Sequence, residues 1–204
     1  MCLSNVKQIA LGMYMYVQDY DDTFAPPLQG PWGGPYVVQT DKTMPGYYFL
    51  TGDGGPSRNY VSWMDMIFPY VKSLKMFWCP SAPDPIYPCY GYSGVVNGSY
   101  RKIDPRETTS NPFTLGEMTN IADTIVFMDY NTQFACYANP YEMNPTTYAR
   151  TWHGYHNSGN NFGFADGHAK WVNKNDTNYY LSNLSVWPDV SKDPCAKHWC
   201  PGYK

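Results

Sequence analysis

The stretch that most limits what this chain can fold into is His156 to Val172, HNSGNNFGFADGHAKWV. Asp166-Gly167 stands between two short runs of strand-like composition. An Asp-Gly pair in that setting predicts a β-hairpin, because a type I′ turn needs positive φ at both central residues. Pairing across such a turn sets Ala165 against His168, Phe164 against Ala169, Gly163 against Lys170 and Phe162 against Trp171. Side chains alternate along a strand, so Phe162, Phe164, Ala169 and Trp171 are expected on one face, the core. Gly163, Ala165, His168 and Lys170 are expected on the other, which is small or wet. None of these positions requires a catalytic role.

A hairpin with an apolar face needs a cover, and the N-terminus supplies one. Leu3, Val6, Ala10, Met13, Val17 and Tyr20 recur at spacings of three and four, the stripe of a helix. Ser4 or Asn5 can cap its start. Asn5, Gln8, Gly12 and Asp19 form a narrow polar strip, while Ile9, Leu11, Met15 and Tyr16 widen the apolar surface. A helix apolar on most sides is buried on most sides. One side is expected on the chain's own sheet and another on a neighbouring copy. The candidate assembly surface is therefore Leu3, Val6, Ile9, Ala10, Leu11, Met13, Met15, Tyr16 and Val17. The helix should stop near Asp19 to Asp22, since Pro26-Pro27 cannot continue it.

Downstream, Gly30 to Gly55 reads as a long irregular excursion with a hairpin near Tyr47 to Leu50, and such loops usually bind or pack on something. SWMDMIFPYVKSLK, from Ser62 to Lys75, has helical spacing with Ser62 as cap and a kink or break at Pro69. Asn97-Gly98 predicts a second hairpin within 90–101. Leu115 to Ala122 is a link, and TIVFMD, Thr124 to Asp129, is the clearest single strand, with the continuous apolar run of a covered centre. The expected organisation is one domain: helix 1–22, loop insertion 23–61, helix and sheet core 62–172, aromatic tail 173–204.

Composition narrows function. The chain of 204 residues has 20 tyrosines, 17 glycines, 18 prolines and few charges, which predicts a loop-rich β or α+β domain with tyrosine-covered surfaces. Such surfaces suit contacts with protein chains or glycans. A net charge of −3 without a basic run argues against nucleic acid. The six cysteines, Cys2, Cys79, Cys89, Cys136, Cys195 and Cys200, contain no Cys-x-x-Cys pair, so disulfides in an oxidising compartment are expected. Their 15 connectivities stay open. Cys195 with Cys200, and Cys79 with Cys89, are near in sequence. Sequons stand at Asn97, Asn175 and Asn183. No signal peptide or membrane-spanning run is visible. The chain begins abruptly at the head of a helical pattern, which suggests that upstream residues were removed.

Four landmarks stand in order: CLSNVKQIALGMYMYVQDYDDTFAPP, WMDMIFPYVKSLKMFWCPS, TIVFMD and HNSGNNFGFADGHAKWV. Together they resemble the type IV pilin-like, pseudopilin-related bacterial family marked by a His, nine residues, then Asp-Gly; here these are His156 and Asp166-Gly167. Cys2, Asn5, Lys7, Gln8, Ile9 and the Gln18-Asp19-Tyr20 end match its helix motif. The resemblance implies a pilin-like α+β fold, with an N-terminal helix on a small antiparallel sheet and variable loops outside. It also implies a secreted, self-assembling protein without catalysis, and it pairs Cys2 with Cys79. Such proteins carry a leader and about 20 apolar residues ahead of the segment with which this sequence begins.

Residues able to carry chemistry have plainer roles. His153, His156, Asp166 and His168 lie close in sequence but lack zinc spacing, so they are read as loop-pinning groups, with His156 bonding a backbone group. Asp19, Asp21 and Asp22 offer oxygens to calcium in an incomplete pattern. Asp53 suits a turn rather than a phosphate cradle, and Ser81 has no local base. The expectation is no enzyme and no resident metal, calcium apart. It is instead an extracellular or cell-surface structural protein: subunit of a pilus-like filament, tube or surface layer, or a pseudopilin. Its partners would be copies of itself. The alternative is a polysaccharide-binding module using Trp32, Tyr36, Tyr47, Tyr48, Trp187 and Trp199.

Overall fold

The computed structural model describes residues 1–29, 45, 61–82, 89–93, 96, 98, 112–130 and 156–173. The expected hairpin near Tyr47, the sequons, Cys136, Cys195, Cys200, Asp53, His153 and the six rings proposed for sugar lie outside these residues. Within them the chain is α+β. Helix α1 (Cys2–Asp19) packs on a four-stranded antiparallel sheet of β3 (Tyr90–Tyr92), β4 (Ile125–Asp129), β5 (Gly159–Phe164) and β6 (Ala169–Asn173), in that spatial order. A two-stranded antiparallel pair, β1 (Leu28–Gln29) and β2 (Val61–Ser62), leads into helix α2 (Trp63–Val71).

α1 starts earlier than expected. Met1 is its N-cap without a side-chain cap, and Asn5 N–H donates to the Met1 carbonyl. Ser4 and Asn5 are inside the helix. Ser4 Oγ accepts from Gln8, while Asn5 Nδ2 reaches across to the Trp78 carbonyl at 3.1 Å. The helix stops where anticipated. Asp21 and Asp22 both take left-handed backbone angles, φ 50° and 56°, a region tolerated by aspartate. Tyr70 then donates to Asp19 Oδ2 at 2.6 Å, joining the end of α1 to α2.

The predicted polar strip of α1 is corrected at Gly12, which is buried. A Cβ there would stand 2.7 Å from Val71 Cγ2, so Gly12 is where α2 crosses. α2 itself opens with a capping box: Ser62 N–H donates to Asp65 Oδ2 at 2.9 Å and Asp65 N–H to Ser62 Oγ. The expected break at Pro69 falls instead at Lys72, which has φ 56°. A 3-10 turn, Leu74–Phe77, follows. Trp63 is fully buried in a ring cluster, 4.9 Å from Phe127, 5.4 Å from Tyr92 and 6.0 Å from Phe77 between centroids.

All five residues of β4 are buried, as its apolar run requires. The hairpin expected around Asn97-Gly98 lies largely outside the described residues; β3 pairs with β4, Tyr92 opposite Phe127, and the link at 115–122 carries 3-10 turns.

The β5–β6 hairpin exists, with another turn and register. Phe164 N–H donates to the His168 carbonyl, and Gly167, at φ 86°, donates to the Phe164 carbonyl. Three residues therefore connect the strands, and the last is a left-handed glycine, the G1 arrangement rather than type I′. Pairing slips by one: Gly163 opposes Ala169, Phe162 opposes Lys170 and Asn161 opposes Trp171. A slip of one changes which residues share a face. Trp171, expected in the core beside Phe162, is 38% exposed and shares its face with Gly163.

That small face is not wet. It carries α1, because a Cβ on Gly163 would meet Val6 Cγ1 at 3.1 Å and Ala10 Cβ at 3.2 Å. The opposite face is buried too, through Met128, Phe162, Phe164 and Val172. Gly163→Val should therefore lose about 1–3 kcal/mol of unfolding free energy by overpacking. Gly116→Ala, where a Cβ meets nothing within 4 Å, should stay within about 0.5 kcal/mol of the parent chain. Urea unfolding of the two variants checks the contrast.

Candidate functional site

Four segments meet at the N-terminal end of α1. The first turn of the helix brings Cys2. The turn after the 3-10 segment brings Cys79 and Ser81, held by Ala82 N–H on the Cys79 carbonyl. β4 ends in Asp129, and the bend before β5 presents His156. Asn157 and Ser158 in that bend have φ 53° and 59°. This fixes the imidazole over the sheet, while the His156 carbonyl accepts from Gly159 N–H and from Trp171 Nε1 at 2.7 Å.

The side chains converge closely. His156 Nε2 lies 3.4 Å from Cys79 Sγ and 3.4 Å from Asp129 Oδ2. The Cys2 thiol points to Ser81 Oγ at 3.6 Å. Asn161 donates twice to Asp129 Oδ2, from its backbone at 2.6 Å and from Nδ2 at 2.8 Å. Asp129 Oδ1 is buried with no hydrogen-bond partner among the described residues. Beside this group opens a cleft of about 490 Å³ lined by Met1, Leu3, Asn157, Asn161 and Trp171 as well as Cys2, Ser81 and His156.

Burial dominates the electrostatics. It pushes the Cys79 thiol up to about 12, with the Cys2 hydrogen bond and the Asp129 charge adding to the rise. Burial likewise pushes Cys89 up to about 11. A protonated thiol is a poor nucleophile. His156 also offers the same nitrogen to Cys79 and to Asp129, whereas a nucleophilic relay uses one imidazole nitrogen for each partner.

The sequence candidates are thus sorted. His156 bonds across its loop through its carbonyl, but its ring meets Cys79 and Asp129 rather than the backbone group expected. Asp166 and His168 sit at the far end of β5, where Asp166 Oδ1 accepts from His168 N–H at 3.0 Å and contacts its ring. The His168 ring stacks on Phe164, 4.1 Å between centroids. His156 and His168 therefore stand at opposite ends of β5, and His153 lies outside the described residues. Gly167 supplies the turn and lies against Leu11.

At the end of α1, Asp19 accepts from Tyr70 and Asp22 from Gln18; with Asp21 they form no ligand group among the described residues. Cys2 and Cys79 are brought together as thiols, and Cys89 is a buried cysteine outside that group. Of the nine helix residues assigned to assembly, Val6, Ile9, Ala10, Met13, Tyr16 and Val17 are buried in the chain's own core. Leu3, Leu11 and Met15 stay outside, at 38%, 42% and 51% exposure.

Sequence reading missed Asp129 and Asn161. Asp129 closes the apolar run TIVFMD, and Asn161 sits in the polar pair before Phe162; a polar residue inside a covered strand is the available signal.

No protein-family model matches the chain, and no curated protein or solved structure matches it. Among the described residues no helix is long and apolar enough to cross a membrane.

Thiols with such environments should resist alkylation. At pH 8, iodoacetamide should label Cys79 and Cys89 far more slowly in the native chain than in urea. The linkage has one sign: thiol pKa values raised by folding contribute stability below the unfolded value of 9.0, lost as pH rises through 11 and 12. The melting temperature should fall across that window, and the fall should shrink in Cys89→Ala.

Proposed function

We propose that the chain is a pilin-like, self-assembling extracellular structural protein: the subunit of a pilus-like filament, tube or surface layer, or a pseudopilin of a secretion system. The observation that carries this reading is the two-sided use of α1. Its inner side is packed against β5 through Gly163, Val6 and Ala10. Its outer side keeps Leu3, Leu11 and Met15 exposed along one line, interrupted only by Lys7. Large apolar side chains so aligned are costly to leave in water and favour contact with another surface. A small antiparallel sheet behind an N-terminal helix is compatible with the pilin-like arrangement. The reading assigns the chain no catalytic role.

A second reading, a polysaccharide-binding module, draws on the exposed Trp171 ring beside the exposed Asn157 in the cleft. An aromatic face with an amide group at its rim suits a sugar ring.

Electron microscopy of concentrated native protein, beside light scattering, tests the first reading. Regular filaments, tubes or sheets are expected. Met15→Glu should abolish them while leaving the monomer's unfolding free energy within about 0.5 kcal/mol. Monodisperse monomers at high concentration would rule out self-assembly through this segment. Quenching of Trp171 fluorescence by soluble glycans would then favour the second.

A further inference from the structure

Cys2, Cys79 and His156 come from three separate segments, yet their sulfur, sulfur and nitrogen atoms all lie within 4.8 Å of one another. Asp129 Oδ2 adjoins the imidazole, 3.4 Å from the same His156 Nε2 that is 3.4 Å from Cys79 Sγ. We propose that Cys2, Cys79 and His156 form a site for a thiophilic divalent cation of the zinc class, with the fourth position turned to the cleft and Asp129 as a neighbour of the imidazole. Its ligands are Cys2 Sγ, Cys79 Sγ and a ring nitrogen of His156.

The distances suit that coordination. Zinc holds sulfur at about 2.3 Å and nitrogen or oxygen at about 2.0–2.2 Å. Tetrahedral angles then separate sulfur from nitrogen by about 3.5 Å. The observed separation of Cys79 Sγ from His156 Nε2 is 3.4 Å.

The carboxylate gives an independent reason. Asp129 Oδ1 is buried without a partner among the described residues, and a cation held by the neighbouring His156 would offset the cost of that buried carboxylate. A disulfide between Cys2 and Cys79 would use both sulfurs and leave that oxygen and the imidazole as they are. Asn161 supplies the outer support, since two N–H donors on Oδ2 fix the orientation of the carboxylate. Two sulfurs with an imidazole select zinc over calcium or magnesium, which take oxygen. On binding, each thiol loses its proton to solvent, so two S–H bonds break, two S–metal bonds form and no electrons are exchanged.

Such an ion joins the first turn of α1 to the turn holding Cys79 and to the bend before β5. Cys89 is a buried thiol outside the group and serves as an internal control. The inference does not depend on self-assembly.

The test uses the full chain, reduced and kept anaerobic, titrated with cobalt(II) and then with zinc. One cobalt per chain is expected, with thiolate charge-transfer absorption and the strong visible bands of tetrahedral cobalt. Zinc should displace it and raise the melting temperature. His156→Gln and Asp129→Asn should each weaken binding at least about tenfold with far-UV circular dichroism unchanged, while Cys89→Ser should bind like the parent. Absence of these bands in the reduced, folded chain overturns the proposal. So does undiminished affinity in His156→Gln, equal loss in Cys89→Ser, or native material in which Cys2 and Cys79 are joined by a disulfide.

Discussion

The missing side chain of Gly163 is the constraint on which the rest of this fold depends. Helix α1 lies against β5 with Val6 and Ala10 so close that a single methyl group on the strand would meet both. Everything else about α1 follows from that contact. Its first turn falls beside the bend holding His156, and its middle falls beside the hairpin turn, where Leu11 meets Gly167. α2 then crosses at Gly12, the other place where the helix lacks a side chain. Two glycines, one on the strand and one on the helix, thus set how closely three elements approach. Larger residues at either place would push the layers apart and open the space around Trp63.

Much of this was legible in the sequence, for local reasons. The extent of α1, the Ser62 cap, the covered strand at Ile125–Asp129 and the hairpin at Asp166-Gly167 each rest on a few adjacent residues whose backbone preferences agree. What was not legible rests on choices that local preference leaves open. Asp-Gly serves a two-residue turn, but Gly also serves a three-residue turn with its glycine at the third place. The two differ by one position in register, and that position moved Trp171 from the predicted core to the rim of the cleft. Gly12 looked polar because nothing nearby announces a crossing helix. The resemblance already paired Cys2 with Cys79, but their meeting with Asp129 and His156 was illegible for the plainest reason, since these come from distant segments.

The two ends of α1 are secured by different physics. At its end, an exposed Tyr70 hydroxyl reaches Asp19, and the carboxylate draws the phenol proton so firmly that its pKa rises to about 12. At its start the helix lacks a side-chain cap. There the fastening is tertiary, through Asn5 on the Trp78 carbonyl and through the thiols around His156. The Tyr70–Asp19 bond is exposed, whereas the Asn5 and His156 contacts are part-buried beside the cleft.

Leu3, Lys7, Leu11 and Met15 follow one another at intervals of four along the outer side of α1. A ridge of that spacing does not run straight down a helix. It is inclined by about 26° to the axis, since four residues overshoot one turn. Two such ridges that fit into each other's grooves bring their helices together at about 50° rather than side by side. Copies joined through this surface would be splayed, each presenting its sheet in a direction rotated from its neighbour's. The pitch of any lattice so built would be written in the spacing of these side chains.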